Sequence, residues 1–301
     1  MRTRKLKNQL FWMMNRLDVC FNLLNDYKIK IELSTIFNIK EKVIIITGGY
    51  GVLGSNIARH LVASGAKVAI LGRDKEKADK FAKTLSSSNA LGFKADVLDK
   101  EALEKINEEI ISVWGKIDVL INAAGGNMAG ATISPGDSLF DISIPDFKKV
   151  TDLNLMGTVI PSVVFGKHMA SQGNGSVVNV SSMAVPQALT RVVGYSASKA
   201  AMENFTRWMA VDMALKFGDA IRVNAIAPGF FIADQNRKLL TNEDGSLTDR
   251  GNTIVQNTPM KRFGKADELN GVVHLLCSEA SKFMTGTVIS IDGGFGAFSG
   301  V

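Results

Sequence analysis

KVIIITGGYGVLGS, residues 42–55, joins a run of β-branched residues to a cluster of glycines. Val43 to Ile46 suit a short buried strand. Glycines stand at 48, 49, 51 and 54, and VLGSNIARHLVASG (52–65) then has helical spacing, with Val52, Ile57, Leu61 and Val62 on one side. In a strand–glycine turn–helix unit the missing Cβ atoms let backbone approach a pyrophosphate at a helix N-terminus, where free N–H groups and the helix dipole favour an anion. A tight turn would also use such glycines. Their place directly after the first strand favours the dinucleotide reading, with Gly48, Tyr50, Gly51, Val52, Leu53 and Gly54 as contacts.

The same rhythm continues outward. KVAIL (67–71), ALGFKA (90–95), DVLINAAG (118–125), SVVNVSS (176–182), IRVNAIAP (221–228) and TVISIDGG (287–294) read as strands. Helical patterns separate them at 74–87, 100–115, 146–172, 195–217 and 266–279. Alternation of this kind predicts parallel β-α-β units and a doubly wound α/β sheet with helices on both faces. Residues 37–301 read as one domain, and 230–263 as an insertion that covers a site, with its own helix at ADQNRKLL.

The net charge of +6 is uneven. Residues 1–40 hold eight Lys/Arg and three Asp/Glu, a balance of +5, which leaves +1 for the rest. The body therefore has no basic footprint for nucleic acid. Residues 1–36 read as a poorly specified extension, too polar to span a bilayer. Two cysteines, Cys20 and Cys277, make a disulfide framework unexpected and a cytoplasmic setting the expectation. The three histidines are scattered, so no metal site is expected.

GYSASKAA (194–201) carries the chemistry. Tyr195 and Lys199 are four apart and share a helix face. A cation beside a phenol favours the phenolate, so Lys199 is expected to lower the pKa of Tyr195. Eighteen residues beyond Gly54, where a carboxylate would hold a ribose 2′-hydroxyl, stand Gly72 and then Arg73. Arg73 tilts the expectation from NAD(H) toward NADP(H).

These residues together resemble the short-chain dehydrogenase/reductase family. The resemblance spans nearly all of 41–295: the glycine turn at 47–54, AD at 95–96, NAAG at 122–125, Asn154 in DLNLMG, Ser182 after VVNVS, YSASK at 195–199, APG at 227–229 and DGG at 292–294, in the family's order. It implies a single Rossmann domain with a seven-stranded parallel sheet ordered 3-2-1-4-5-6-7 and a homotetramer. It implies a catalytic tetrad of Asn154, Ser182, Tyr195 and Lys199. Further cofactor contacts are implied at Asp96, Val97, Asn122, Ala123, Ala124, Gly125, Pro228, Gly229 and Ile232, besides Tyr195 and Lys199. Two positions depart from the family's pattern: Val52 stands where a glycine is usual, with Gly51 one place early, and Ala233 where a threonine is frequent.

The flanks are polar. Asn127, Gln187, Arg191, Gln235, Asn236 and Arg237 could address hydroxyls and a carboxylate. NAAGGN, LTRVVGYSASKAA and PGFF…QNR look most like the sugar-acid members, the D-mannonate oxidoreductases, and imply a hexonate or hexuronate substrate. The rival readings are a 3-oxoacyl-carrier-protein reductase and a non-catalytic nicotinamide-binding sensor.

Overall fold

Strand β1, Val43–Thr47, is buried along its whole length. Its register aligns Thr47 with Leu71 at the end of β2 (Lys67–Gly72) and with Asn122 at the end of β4 (Val119–Asn122). With β3 (Ala90–Lys94), β5 (Gly175–Val180), β6 (Ile221–Pro228) and β7 (Val288–Ile291) it builds one seven-stranded sheet ordered β3-β2-β1-β4-β5-β6-β7. Every pairing is parallel, as the doubly wound reading requires. The computed structural model describes residues 33–232, 237 and 239–300. The chain divides into two units, Met1–Asn38 and Ile39–Val301; of the first, the described part contains a helical turn, Leu33–Ile36. The extension expected at 1–36 lies otherwise outside the described residues.

Alternate residues of each strand face opposite sides, so one strand feeds two cores. Ile44, Ile46, Val68 and Ile70 pack with helices α1 (Val52–Ala63), α2 (Lys75–Leu85) and, later in the chain, Asn270–Cys277. Val43, Ile45, Ala69 and Leu71 pack on the other face with α3 (Lys100–Trp114). That face also holds α5 (Gly157–Gln172) and α6 (Val193–Phe217). Helix starts follow local chemistry: the Asp74 and Asp99 carboxylates accept from the Lys77 and Ala102 N–H groups and cap α2 and α3.

The long helix expected over 146–172 is two helices, α4 (Ile144–Thr151) and α5, joined by a π-helical turn at Asp152–Met156. Within 230–263 the structure has a helix that the sequence reading missed, α7, Asp249–Asn257, capped by Thr248. The helix expected at ADQNRKLL falls mostly on 233–236 and 238, outside the described residues; Arg237, Leu239 and Leu240 are helical. Asn270–Cys277 is α8, preceded by a 3-10 turn. Among the described residues no helix is long and apolar enough to cross a membrane.

Candidate active site

After β1 the chain turns through Gly48, whose φ of 64° is left-handed backbone that glycine enters without strain. A Cβ on Gly54 would stand 2.5 Å from the Gly48 carbonyl oxygen, so the first turn of α1 lies directly against the turn. Gly51 is the N-cap of α1 in ordinary extended backbone and offers no side-chain cap. The turn's special freedom therefore belongs to Gly48, and the early glycine at 51 is not needed for its φ. Its effect is that α1 opens without a side-chain acceptor on its first N–H groups. A bare helix start behind closely packed glycines fits the phosphates of a dinucleotide.

Tyr50 folds over the end of β2, where a Cβ on Gly72 would meet its ring, and its hydroxyl accepts from the Asp74 N–H at 3.2 Å. Arg73 is exposed beside it, while the Asp74 carboxylate is engaged by the Lys77 N–H and ammonium. Asp96 is exposed after β3 and accepts from the Leu98 N–H; Val97 is buried against Gly157.

At the end of β4 the side-chain nitrogen of Asn122 and the next two backbone amides turn inward. The Asn122 side chain is buried and donates to Ser162 Oγ (3.0 Å) and Asn179 Oδ1 (2.9 Å). The Ala123 and Ala124 N–H groups both donate to Thr47 Oγ1 (3.1 and 3.2 Å). These groups point into the protein, so 122–124 position the strand end and do not offer those polar atoms to a ligand. Thr47 was missed by sequence reasoning; its signal is a hydroxyl at the last place of an otherwise aliphatic strand.

Gly125 is where the site closes up. A Cβ there would lie 2.8 Å from Asn154 Oδ1 and 3.3 Å from Lys199 Nζ, so only bare backbone lets those two side chains approach. Asn154 sits in the π-helical turn, the form of bulge that turns an inserted residue inward. It holds Gly126 from both sides: Oδ1 accepts from its N–H (3.1 Å) and Nδ2 donates to its carbonyl (2.7 Å). Nδ2 also donates to the Val150 carbonyl, which the widened turn leaves available.

Beyond β5 two adjacent serines part. Ser181 is buried and donates to Glu203 Oε1 at 2.7 Å, in a chain that continues to Arg207. The Ser182 hydroxyl accepts from the Ala184 N–H at 3.1 Å. Burial raises Tyr195 above the ordinary phenol range, and the Ser182 hydrogen bond pulls it back down. This corrects the expectation that Lys199 acidifies the phenol. The Lys199 ammonium sits over the ring, 5.7 Å from its centroid, and donates to the Val180 carbonyl at 2.6 Å. Its charge serves that carbonyl, and burial holds its own pKa down at about 8.

On the far side, the Gly229 N–H donates to the Ile291 carbonyl, and the Pro228 carbonyl accepts from the Met183 N–H. A Cβ on Gly229 would stand 2.7 Å from the Asp292 backbone; Ile232 follows, half-buried. Of the expected substrate residues, Asn127 donates to Thr132 (2.8 Å) and Gln187 to the Gly296 carbonyl (3.2 Å), so both amide nitrogens serve the protein. Gln235 and Asn236 lie outside the described residues, and Arg237 is exposed. Arg191 differs: its Nε is buried without a hydrogen-bond partner, and its φ is 81°. A cavity of about 170 Å³ among Lys42, Asp118, Asn174, Arg222 and Glu279 lies at the opposite, N-terminal ends of the strands, away from this convergence. In an open parallel sheet the ligand crevice lies at the C-terminal ends.

Over residues 51–296 the chain matches the family model described as Enoyl-(Acyl carrier protein) reductase. It belongs to the short-chain dehydrogenase/reductase family. As a member it is an NAD(P)-dependent oxidoreductase of the alcohol dehydrogenase and ketone reductase type. It is 44% identical, over 88% of its length and 98% of the relative's, to a Bacillus subtilis protein named uncharacterized oxidoreductase UxuB. A Haemophilus influenzae chain provisionally named D-mannonate oxidoreductase, solved with bound NAD, is 41% identical with a TM-score of 0.81, over 88% of this chain and 98% of that one. A Burkholderia cenocepacia gluconate 5-dehydrogenase, solved with NADP and tartrate, is 28% identical with a TM-score of 0.78, over 87% and 98%.

Proposed function

We propose that this short-chain dehydrogenase/reductase interconverts a hydroxyl and a ketone on a hexonate or hexuronate of the D-mannonate/D-fructuronate type. The observation that carries the chemistry is the convergence of Lys199, over the Tyr195 ring, with Asn154 at Gly125, beside the glycine turn. Tyr195 gives the proton to the substrate oxygen in reduction and takes it in oxidation. Its raised pKa keeps the proton on the phenol at neutral pH, which suits the donor role. Ser182 donates a hydrogen bond to the same oxygen. Lys199 holds the ribose hydroxyls, and Asn154 keeps Gly126 in place. The nicotinamide, when bound, supplies or accepts the hydride.

The sugar-acid reading is supported by the polar flanks and by the similarity to the chain named D-mannonate oxidoreductase. The proposed cover of the substrate is the insertion at 230–263, whose described part includes α7, in a single catalytic domain at 37–301. An exposed Arg73 with Asp74 engaged as a helix cap supports NADP(H); the NAD found in the 41%-identical chain supports NAD(H). Val163, Trp208, Val211 and Leu215, exposed on α5 and α6, support a homotetramer. The low cysteine count supports the cytoplasm.

The test is a spectrophotometric screen of hexonates, hexuronates, neutral polyols and 3-oxoacyl thioesters with both cofactors, repeated with Tyr195→Phe. Turnover of a sugar acid that falls roughly 10²- to 10⁴-fold in the variant is expected. Preference for a thioester, or turnover unaffected by the substitution, would defeat this reading.

A further inference from the structure

After β7 the chain runs through Asp292, Gly293 and Gly294 into a short 3-10 turn, Phe295–Ala297. Asp292 folds this turn around its own carboxylate. Its Oδ1 accepts from the Gly294 N–H (2.9 Å) and its Oδ2 from the Gly296 N–H (2.7 Å), while its carbonyl accepts from the Phe295 N–H (3.2 Å). Gly293 and Gly294 both stand at positive φ, 64° and 87°, a reversal that residues with a Cβ would resist. Hydrogen bonds to an ionised carboxylate are the strong kind, so one side chain fixes the path of the residues after it.

Three stretches of chain rest on that turn. Two are the limbs of the insertion at 230–263. At its start, the Phe230 ring meets Phe295 edge to face, with centroids 5.1 Å apart. Toward its end, just after α7, the Met260 N–H donates to the Gly293 carbonyl (3.1 Å). Cβ atoms on Gly293 and Gly294 would lie 3.0 Å from Thr258 and 3.1 Å from Pro259. The third stretch is the loop that follows Ser182. Gln187 Nε2 donates to the Gly296 carbonyl (3.2 Å), and a Cβ on Gly296 would run into the Met183 side chain. In that loop the Ser182 hydroxyl accepts from the Ala184 N–H and the Ser182 carbonyl from the Val185 N–H, so the seat of the loop is also the seat of the hydroxyl.

We propose that Asp292 is a positioning residue: by holding residues 294–297 in this turn it ties the cover of the substrate to the loop that carries Ser182, so that the two are set together. This rests on the reading above of 230–263 as the cover and of Ser182 as a donor to the substrate oxygen. A cover has to close and a donor has to stand at hydrogen-bond distance, and one shared support serves both. The role of Asp292 runs through backbone N–H groups, and the reacting atoms are left to Ser182 and Tyr195.

The experiment uses the full chain saturated with cofactor. Asp292→Asn keeps one acceptor oxygen and replaces the other with a donor, which cannot take the second N–H; Asp292→Ala removes both. Amide hydrogen exchange, read by mass spectrometry, should quicken about tenfold or more in 183–187 and in 254–260 together for Asp292→Asn, and further for Asp292→Ala. The KM for D-mannonate should rise roughly tenfold in Asp292→Asn, with the cofactor Kd within about twofold of wild type. Loss of folded protein alone would lower kcat in proportion and leave KM where it was. Faster exchange confined to 292–297, or an unchanged KM, overturns the tie and leaves the sugar-acid function standing. Cofactor binding weakened as much as KM overturns it too, since the carboxylate then supports the whole domain. Should Asp292→Ala fail to fold, Asp292→Asn decides. If the wild type does not turn over D-mannonate, the sugar-acid function fails, and exchange alone decides the tie: joint loosening of the two segments upholds it, and loosening of one or neither overturns it.

Discussion

Replacing Lys199 by methionine should make the cofactor-free protein more stable at neutral pH, although it removes a residue placed here at the centre of the reaction. Lys199 is 3% exposed, and burial brings its pKa from the ordinary 10.5 to about 8. Keeping the ammonium charged at pH 7 in that place therefore costs about 3 kcal/mol, at roughly 1.4 kcal/mol per pH unit. The hydrogen bond to the Val180 carbonyl offsets roughly 1–2 kcal/mol of it, which methionine would forfeit. A net gain of about 1–2 kcal/mol is expected at pH 7, or a few degrees in Tm for a domain of this size. The pH dependence is the sharper readout. The folded form loses its proton near 8 and the unfolded form only near 10.5, so between these values the unfolded state binds more protons and the wild type gains stability as pH rises. The advantage of Lys199→Met should shrink by about 2 kcal/mol between pH 7 and 9.5. Urea titrations of both cofactor-free proteins at the two pH values measure it. An advantage that stays constant, or grows with pH, would refute the claim that a buried ammonium is held at this site at a net cost.

Ser182→Ala removes the hydrogen bond that pulls the Tyr195 pKa down, so the rise of kcat/KM with pH in alcohol oxidation should move to higher pH; an unmoved profile would count against the pair. Gly54→Ala drives a Cβ to within 2.5 Å of the Gly48 carbonyl, and dinucleotide affinity, read by fluorescence quenching, should fall at least tenfold with a lowered Tm. Leu215→Asp, on the exposed apolar face of α6, should lower the mass seen by light scattering if that face joins subunits. Cys277 is buried and its thiol is pushed up to about 12, so it should resist alkylation by iodoacetamide at pH 8 in the folded protein and react on unfolding.

What the sequence determined by itself is the order and kind of the elements. β1 is a run of apolar residues buried on both faces, and a run of that sort ending in glycine is visible without neighbours. The helix caps Asp74 and Asp99 are equally local, because a cap bonds an N–H three residues on. The spacing of Tyr195 and Lys199 follows from one helical turn. What only the tertiary structure decided is which polar groups face one another. Asn122 meets Asn179 and Ser162, and Ala123 and Ala124 meet Thr47, across sequence gaps of 40 to 77 residues. The same holds for the phenol. Spacing put a cation near Tyr195, but the Lys199 ammonium turns to the Val180 carbonyl, and burial raises the phenol and lowers the ammonium. Periodicity is a property of neighbouring residues and is written in the chain, whereas desolvation and hydrogen-bond direction depend on every element that closes around a group, and they exist only once the sheet is assembled.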